Sequence, residues 1–252
     1  MEIKTILITQ ARTGSTRLPG KVLKEINGTS LLETHLKRLA KCTRISEIIV
    51  ATTDNDEDAV ICQKALAWGF QAFRGSENDV LDRFYQSVKD KKADWIVRVT
   101  SDCPLIDPIL VDQVVQFAQE NDCDYVSNGL LEMYPDGQDV EVFKFSALKM
   151  AWEGAKLNSE REHVTPYIRT HADFNNGHLF KALNYPSPAD YSTIRMTVDE
   201  PADFEVIEML IQNVGTEQSW FTYTNYIIDH QLGKLNEQIT RNEGFIKSLK
   251  ND

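Results

Sequence analysis

Cysteine is scarce and dispersed: Cys42, Cys62, Cys103 and Cys123 are the only four in 252 residues, and none forms a CxxC pair. That excludes a disulfide framework or a zinc cluster as the organising device and fits a reducing compartment, so a cytoplasmic location is expected. No apolar run approaches the roughly 20 residues of a membrane helix, and no membrane partner is expected. The opening MEIKTILITQ reads as a strand running into an Arg-rich loop, not as a signal peptide. Positive charge is also short, with 27 Lys and Arg against 38 Asp and Glu, a net charge of −11. Such a field repels polyanions, so no nucleic-acid partner is expected, although a small anion needs only a local basic pocket or a metal ion. Histidine is rare too. His163 and His171 stand eight apart with no acid at ligand spacing, which disfavours zinc. Internal repeats and low-complexity tracts are absent.

What is present is an ordinary globular composition, 42% hydrophobic and 26% charged, with short β-branched runs alternating with amphipathic stretches. Strands are expected at 3–8, 47–52, 71–73, 95–100 and 124–127. Helical faces are marked by Leu32, Leu36 and Leu39, by Leu81, Phe84 and Val88, and by Leu110, Val114 and Ala118. Asp107 is placed to cap the last of these, with Pro108 in its first turn. The alternation predicts an α/β fold with a doubly wound, mostly parallel sheet, whose ligands bind at the carboxyl ends of the strands. After about residue 128 the pattern changes. A Tyr134–Gly137 turn, a strand over 139–145, a helix to about Ala155 and a charged 159–171 stretch read as an insertion, 130–192, within one domain spanning 1–252. Alternation resumes with a strand over 193–198, a helix from Pro201 and a last helix near Tyr223–Leu232.

The loop after the first strand, Gln10-Ala11-Arg12-Thr13-Gly14-Ser15-Thr16-Arg17-Leu18-Pro19-Gly20-Lys21, packs three cations, two glycines and three hydroxyls into twelve residues of an acidic chain. Gly14 and Gly20 permit inward-turned N–H groups, and Arg12, Arg17 and Lys21 supply charge for a polyphosphate. A Walker A loop is excluded, because Gly14 and Gly20 enclose five residues and Val22 follows Lys21. Two acids sit where strands end: Asp102 in RVTSDCPLID and Asp199 in MTVDEP. Magnesium, which often takes only one or two protein carboxylates and completes its shell with water and phosphate, suits such a pair; each alone is equally a turn or cap residue. Further on, Asp139 and Glu141 share one face of a strand that follows Gln138. Arg161, His163 and Arg195 are candidates for binding an acceptor carboxylate or phosphate, although much of 159–171 also reads as a solvated helical face.

The ARTGSTRLPGKVL loop resembles the phosphate loop of the cytidylyltransferases that activate acidic sugars, the 3-deoxy-manno-octulosonate and acylneuraminate enzymes. The likeness is strongest to their spore-coat polysaccharide branch. It implies a Rossmann-like, GT-A-like nucleotide-diphospho-sugar transferase fold, with CTP as donor. Ala11 and Arg12 would lie near cytosine, and Ser15, Arg17 and Lys21 near the phosphates. The segment RGSENDVLDR is similar to the family's SGTDR-type segment, which would put Ser76, Asp82 and Arg83 near the nucleotide, with Asp79 alternatively a helix cap. The segments around Asp102 and Asp199 resemble the family's metal-holding motifs, though Cys103 and Thr100-Ser101 replace its frequent acidic residue and Gln-Gly-like pair. Gln138, Asp139, Glu141, Arg161, His163 and Arg195 correspond by position to an acceptor and dimer-contact region, which implies a homodimer. The recurring Arg241-Asn242-Glu243-Gly244 has no role readable from sequence.

The expected reaction is Mg²⁺-dependent transfer of CMP from CTP to an acidic sugar, with Arg12, Lys21, Asp102 and Asp199 carrying the chemistry. Alternatives are a nucleotidyltransferase using a sugar phosphate or phosphonate with CTP or another NTP, and a nucleotide sensor. A glycosyltransferase is more distant, since the Asp-x-Asp motif is lacking.

Overall fold

A computed structural model describes residues 3–252, the side chain of Asn251 excepted. β1 (Thr5–Gln10) is joined through a small β2 (Glu25–Ile26) and β3 (Thr29–Ser30) hairpin to α1 (Leu31–Leu39). Then come β4 (Glu47–Thr53), α2 (Ala59–Ala67), β5 (Gln71–Gly75), α3 (Val80–Val88), β6 (Trp95–Thr100), α4 (Pro108–Glu120) and β7 (Tyr125–Ser127). β8 (Glu141–Lys144), α5 (Phe145–Gly154), α6 (Asn158–His163), α7 (Pro166–Thr170) and β9 (Ala182–Asn184) follow, and the chain closes with α8 (Pro201–Val214), α9 (Trp220–Asp229) and α10 (Glu243–Ser248).

The main sheet has the order β5-β4-β1-β6-β8-β7-β9, parallel except where β8 pairs antiparallel with β6 and β7. Alternation along the strands explains the layers. Ile6 and Ile8, Ile49 and Ala51, and Ile96 face α3, α5 and α7. Leu7, Val97, Val99 and Val142 face α4, and Val50 packs on α1 and α2. Helix starts follow their caps: Ser30 accepts from the N–H of Glu33 at 3.2 Å, and Asp107 from that of Ile109 at 2.8 Å. Among the described residues no helix is long and apolar enough to cross a membrane.

The chain leaves β1 toward β4 and β5 on one side and returns to β6 on the other, so the switch point of the sheet lies between β1 and β6. The basic loop and Asp102 flank it. Residues 130–192 thread β8 into the sheet between β6 and β7 and lay α5–α7 on one face.

Two expectations need correction. Residues 193–198 form no strand. They run past the Tyr134–Gly137 turn, and Asp136 alone bridges to Arg195, with its N–H on the carbonyl of Ile194 at 2.9 Å and its carbonyl accepting from Met196 at 2.7 Å. A ladder needs a neighbouring strand, and here a turn stands in its place. Gly137, at φ +100°, makes that approach possible, since a Cβ there would lie 2.6 Å from the backbone of Met196. The second correction concerns Gly14, where a Cβ would meet only side-chain ends, no nearer than 3.7 Å. It is Gly20, at φ +66°, that carries the left-handed turn of the loop.

Candidate active site

A cleft of ≈ 750 Å³ opens over the carboxyl ends of β1, β6 and β7. The basic loop forms one wall. Its shape is fixed by Asp58, whose Oδ1 accepts from the N–H and Oγ1 of Thr13, both at 2.7 Å, and by the N–H of Gly20 on the carbonyl of Thr13 at 2.9 Å. Ala11 anchors the start, donating to the carbonyl of Ala51 at 3.1 Å.

Lys21 is the centre of the site. Its Nζ donates to Asp102 Oδ2 at 3.0 Å, Asp199 Oδ1 at 2.9 Å and the carbonyl of Val198 at 2.8 Å. All three ammonium protons are thereby used. The two carboxylates, 97 positions apart in the numbering of the chain, share one cation, so their nearest oxygens lie no farther apart than those two distances together. Burial alone would lower Lys21 and raise Asp102. The ion pairing overrides both, holding the ammonium above its ordinary value and the Asp102 carboxyl well below the usual carboxylate range.

Asp199 is held from behind. Its Oδ2 accepts from Arg195 at 2.8 Å, and Arg195 also grips Asp203 at 2.8 and 3.1 Å and pairs with Asp136. Asp203, fully buried, accepts from the N–H groups of Asp199 and Glu200 at 2.9 and 3.0 Å and from Asn236 at 3.0 Å. Arg195 thus sits behind the carboxylate as a positioning residue, committed to three acids. Burial, and then the Asp139 carboxylate, push Asp136 up to about 7 against the pull of Arg195 and Arg241.

Arg17 extends the charge network, meeting Asp199 at 3.2 Å, Glu200 at 3.4 Å and Glu243 at 2.8 Å. Arg12 reaches Glu77 at 3.3 Å. Arg83 lines the cleft, donates to the carbonyl of Ser76 at 2.7 Å and has a buried Nε without a partner; burial, then Arg12, lowers it to about 10. Ser15 accepts from the N–H of Leu18 at 3.4 Å, Ser101 donates to the carbonyl of Gln10 at 2.6 Å, and Thr100 Oγ1 lies 3.3 Å from Cys103 Sγ. Ser15, Thr100 and Ser101 all border the cleft.

At the far end, Glu141 Oε1 accepts from Tyr125 and Thr165 at 2.5 and 2.6 Å, and its other oxygen pairs with Arg98. Arg98 and Arg169 keep Glu141 below its ordinary value although burial alone would raise it. His163 Nε2, buried and 3.9 Å from Glu162, has no hydrogen-bond partner, and burial followed by Arg98 lowers the ring to about 4. Arg98 and Arg169, which the sequence did not single out, border this end of the cleft.

Several candidates do not reach the cleft. Gln138 is fully buried, accepting from the N–H of Asp107 and donating to the carbonyl of Leu105, each at 3.0 Å, so it pins the 100–107 loop. Arg161 is spent on Asp79, at 2.9 Å from Nε, and on the carbonyl of Trp152 at 2.8 Å. Asp79 itself caps α3, accepting from the N–H of Asp82 at 2.8 Å. Asp82 accepts from Trp152 Nε1 at 2.8 Å, and Ser76 Oγ accepts from the N–H of Asp79 at 3.1 Å. Gly14 contributes backbone to the loop but stands off the cleft wall. Arg241 and Glu243, unassigned from sequence, do border it.

A basic loop beside two acids that share one lysine, at the switch point of a mostly parallel sheet, is an arrangement that suits a nucleotidyltransferase. Residues 6–230 match a family profile described as cytidylyltransferase, and the chain belongs to that family. It is 33% identical over 220 residues to the spore coat polysaccharide biosynthesis protein SpsF of Bacillus subtilis, covering 83% of this chain and 87% of the relative. A 3-deoxy-manno-octulosonate cytidylyltransferase of Elusimicrobium minutum is 33% identical over 119 residues, 46% of each chain. Among solved structures, a cytidylyltransferase from Leptospira borgpetersenii superposes with a TM-score of 0.85 at 30% identity, over 96% of this chain and 100% of that one.

Proposed function

We propose that this cytidylyltransferase transfers CMP from CTP to a hydroxyl of an acidic sugar, of the 2-keto-3-deoxy or nonulosonic type, for surface polysaccharide synthesis. The observation that carries the reading is Lys21 bonded at once to Asp102 and Asp199 beside the basic loop. The named functions of the relatives support the substrate class. In this reaction the acceptor hydroxyl gives up its proton to water, its oxygen attacks the α-phosphorus, the bond from that phosphorus to the α,β-bridging oxygen breaks, and pyrophosphate leaves with the bridging oxygen. Arg12, Arg17 and Lys21 offset the charge that grows on the leaving pyrophosphate, and the loop backbone fixes the phosphate chain in line.

Asp102 and Asp199 fit Mg²⁺: both present hard oxygens to a single cation, and Arg195 locks the orientation of Asp199. Bound there, Mg²⁺ would supply charge stabilisation to the transferring phosphoryl group. Neutral His163, whose Nε2 has no hydrogen-bond partner, offers that atom to an acceptor hydroxyl, and the Arg98–Glu141 pair borders the same cleft. The supply of CTP points to the cytoplasm. A homodimer joined through the 130–192 segment completes the reading, and light scattering at twice the 28.7 kDa chain mass checks it.

The decisive measurement is pyrophosphate release with each of four NTPs, Mg²⁺ and a panel of 2-keto-3-deoxy and nonulosonic acids. Release is expected with CTP and a sugar acid only. Turnover confined to a sugar phosphate or phosphonate, or to another NTP, overturns the acceptor or donor assignment; CTP binding with no turnover on any acceptor overturns the enzymatic reading.

A further inference from the structure

Residues 241–252 lie beyond the family match at 6–230, yet seven of them, Arg241 to Lys247, border the cleft. The segment is stitched to both ends of the site. Arg241 donates to Asp139 Oδ1 at 2.6 Å and to the carbonyl of Tyr134 at 3.0 Å, and Asn242 donates to Glu132 at 2.7 Å. Phe245 meets the His163 ring edge-on at 5.1 Å between centroids, and Asp252 accepts from the N–H of Ser159 at 2.8 Å. Between these anchors, Glu243 Oε2 accepts from Arg17 at 2.8 Å, the shortest of the three carboxylate contacts of that guanidinium.

Arg17 belongs to the phosphate loop, and Glu243 occupies it as an anion would. A triphosphate laid in the loop brings several charges to the same fork of donors, where bidentate phosphate binding is strong, and it repels a carboxylate already there. The other two partners, Asp199 and Glu200, are fixed at the start of α8 by Asp203. Glu243 is different: it stands on the six-residue α10, where its other oxygen pairs with Lys247 on the same helix at 2.8 Å, and it meets the loop at Arg17. Asn242, just before it, holds φ +58°, a left-handed joint that asparagine tolerates.

We propose that Glu243 is a latch: it holds Arg17 in the nucleotide-free enzyme, the triphosphate displaces it, and its release loosens residues 243–248 from the acceptor end of the cleft. Nucleotide then binds first and opens the way for the acceptor. This rests on the reading of the loop as the CTP site.

The test uses the full chain with CTP and Mg²⁺ and no acceptor. Calorimetry is expected to show Glu243→Gln binding CTP about 5- to 10-fold more tightly than the wild type. Amide exchange over 243–248 is expected to quicken when CTP binds the wild type, and to be already fast in the nucleotide-free variant. Equal or weaker CTP affinity in the variant, or slower exchange over 243–248 on CTP binding, overturns the latch and leaves the nucleotide site standing. Failure of the wild type to bind CTP at all removes both. The exchange measurement needs no variant, so a folding defect in Glu243→Gln does not shield the proposal.

Discussion

Lys21 places all three ammonium protons on oxygens that come from the loop after β6 and from the stretch before α8, which ties the loop to both acids. Removing it leaves Asp102 and Asp199 without the cation they share and, on the proposed reaction, takes away a counter-charge for pyrophosphate. Lys21→Ala is expected to lower kcat/KM for CTP by about a hundredfold, roughly 2.7 kcal/mol of transition-state stabilisation, read by pyrophosphate release. His163 makes a different prediction. Its imidazole titrates at about 4 in the fold, because burial and then Arg98 oppose the charge, against an ordinary value of 6.5. The unfolded chain therefore binds the extra proton first, so this group contributes stability above pH 6.5 that is lost as pH falls toward 4. Asp136, raised to about 7, acts in the opposite sense: its contribution is full at low pH and is lost as pH rises through 7. Urea midpoints of His163→Gln are expected to fall less steeply than those of the wild type between pH 6.5 and 4. Parallel curves would show that the ring is not buried as described.

Elements bring these residues together, and the start of α8 does most to shape the site. Asp203 gathers two backbone N–H groups, Arg195 and Asn236, and through them sets Asp199. Asp203→Ala takes the fully buried acid from Arg195 and leaves the N–H groups of Asp199 and Glu200 without their acceptor, and a loss of about 3–5 kcal/mol is expected in urea unfolding, with activity falling alongside. Elements with a strong local signal were legible in the sequence: β1, β4 and β6 as short β-branched runs, α3 by its apolar stripe, α4 by Asp107-Pro108. α2 was not. Val60, Ile61, Cys62, Ala65 and Leu66 leave its apolar residues spread around the helix, so no stripe stands out. β9, at three residues, is too short to show a period. The basic loop was legible from its local composition and Asp102 from the end of β6, whereas Asp199 was found through its place just before the Pro201 helix start, the strand expected ahead of it being absent. Gln138, Asp82 and Arg161 misled because each polar group is satisfied by a partner whose nearness only the fold creates. Arg241 and Glu243 escaped for the same reason, their partners lying more than 100 residues away in sequence.

At the scale of the whole molecule, a chain of net charge −11 gathers Arg12, Arg17 and Lys21 on one wall of one cleft. On the proposed function, such a field would turn polyanions away from most of the surface while the cleft offers local positive charge to a small anion. Ligand that binds only the native state stabilises it by about 2.7 kcal/mol at a hundred times its Kd. For a protein of this size that corresponds to a rise of roughly 5–10 °C in Tm. Thermal melts are expected to show it with CTP and not with ATP. Equal shifts with both would mean that the cleft reads phosphates and ignores the base.

The ammonium lodged between Asp102 and Asp199 has one more consequence. The resting enzyme carries its own counter-ion on a tether, so these acids need nothing borrowed from the buffer to stay side by side. Dialysis against EDTA is expected to leave the melting curve and circular dichroism of the free protein unmoved. A chelator should matter only once there is work to do.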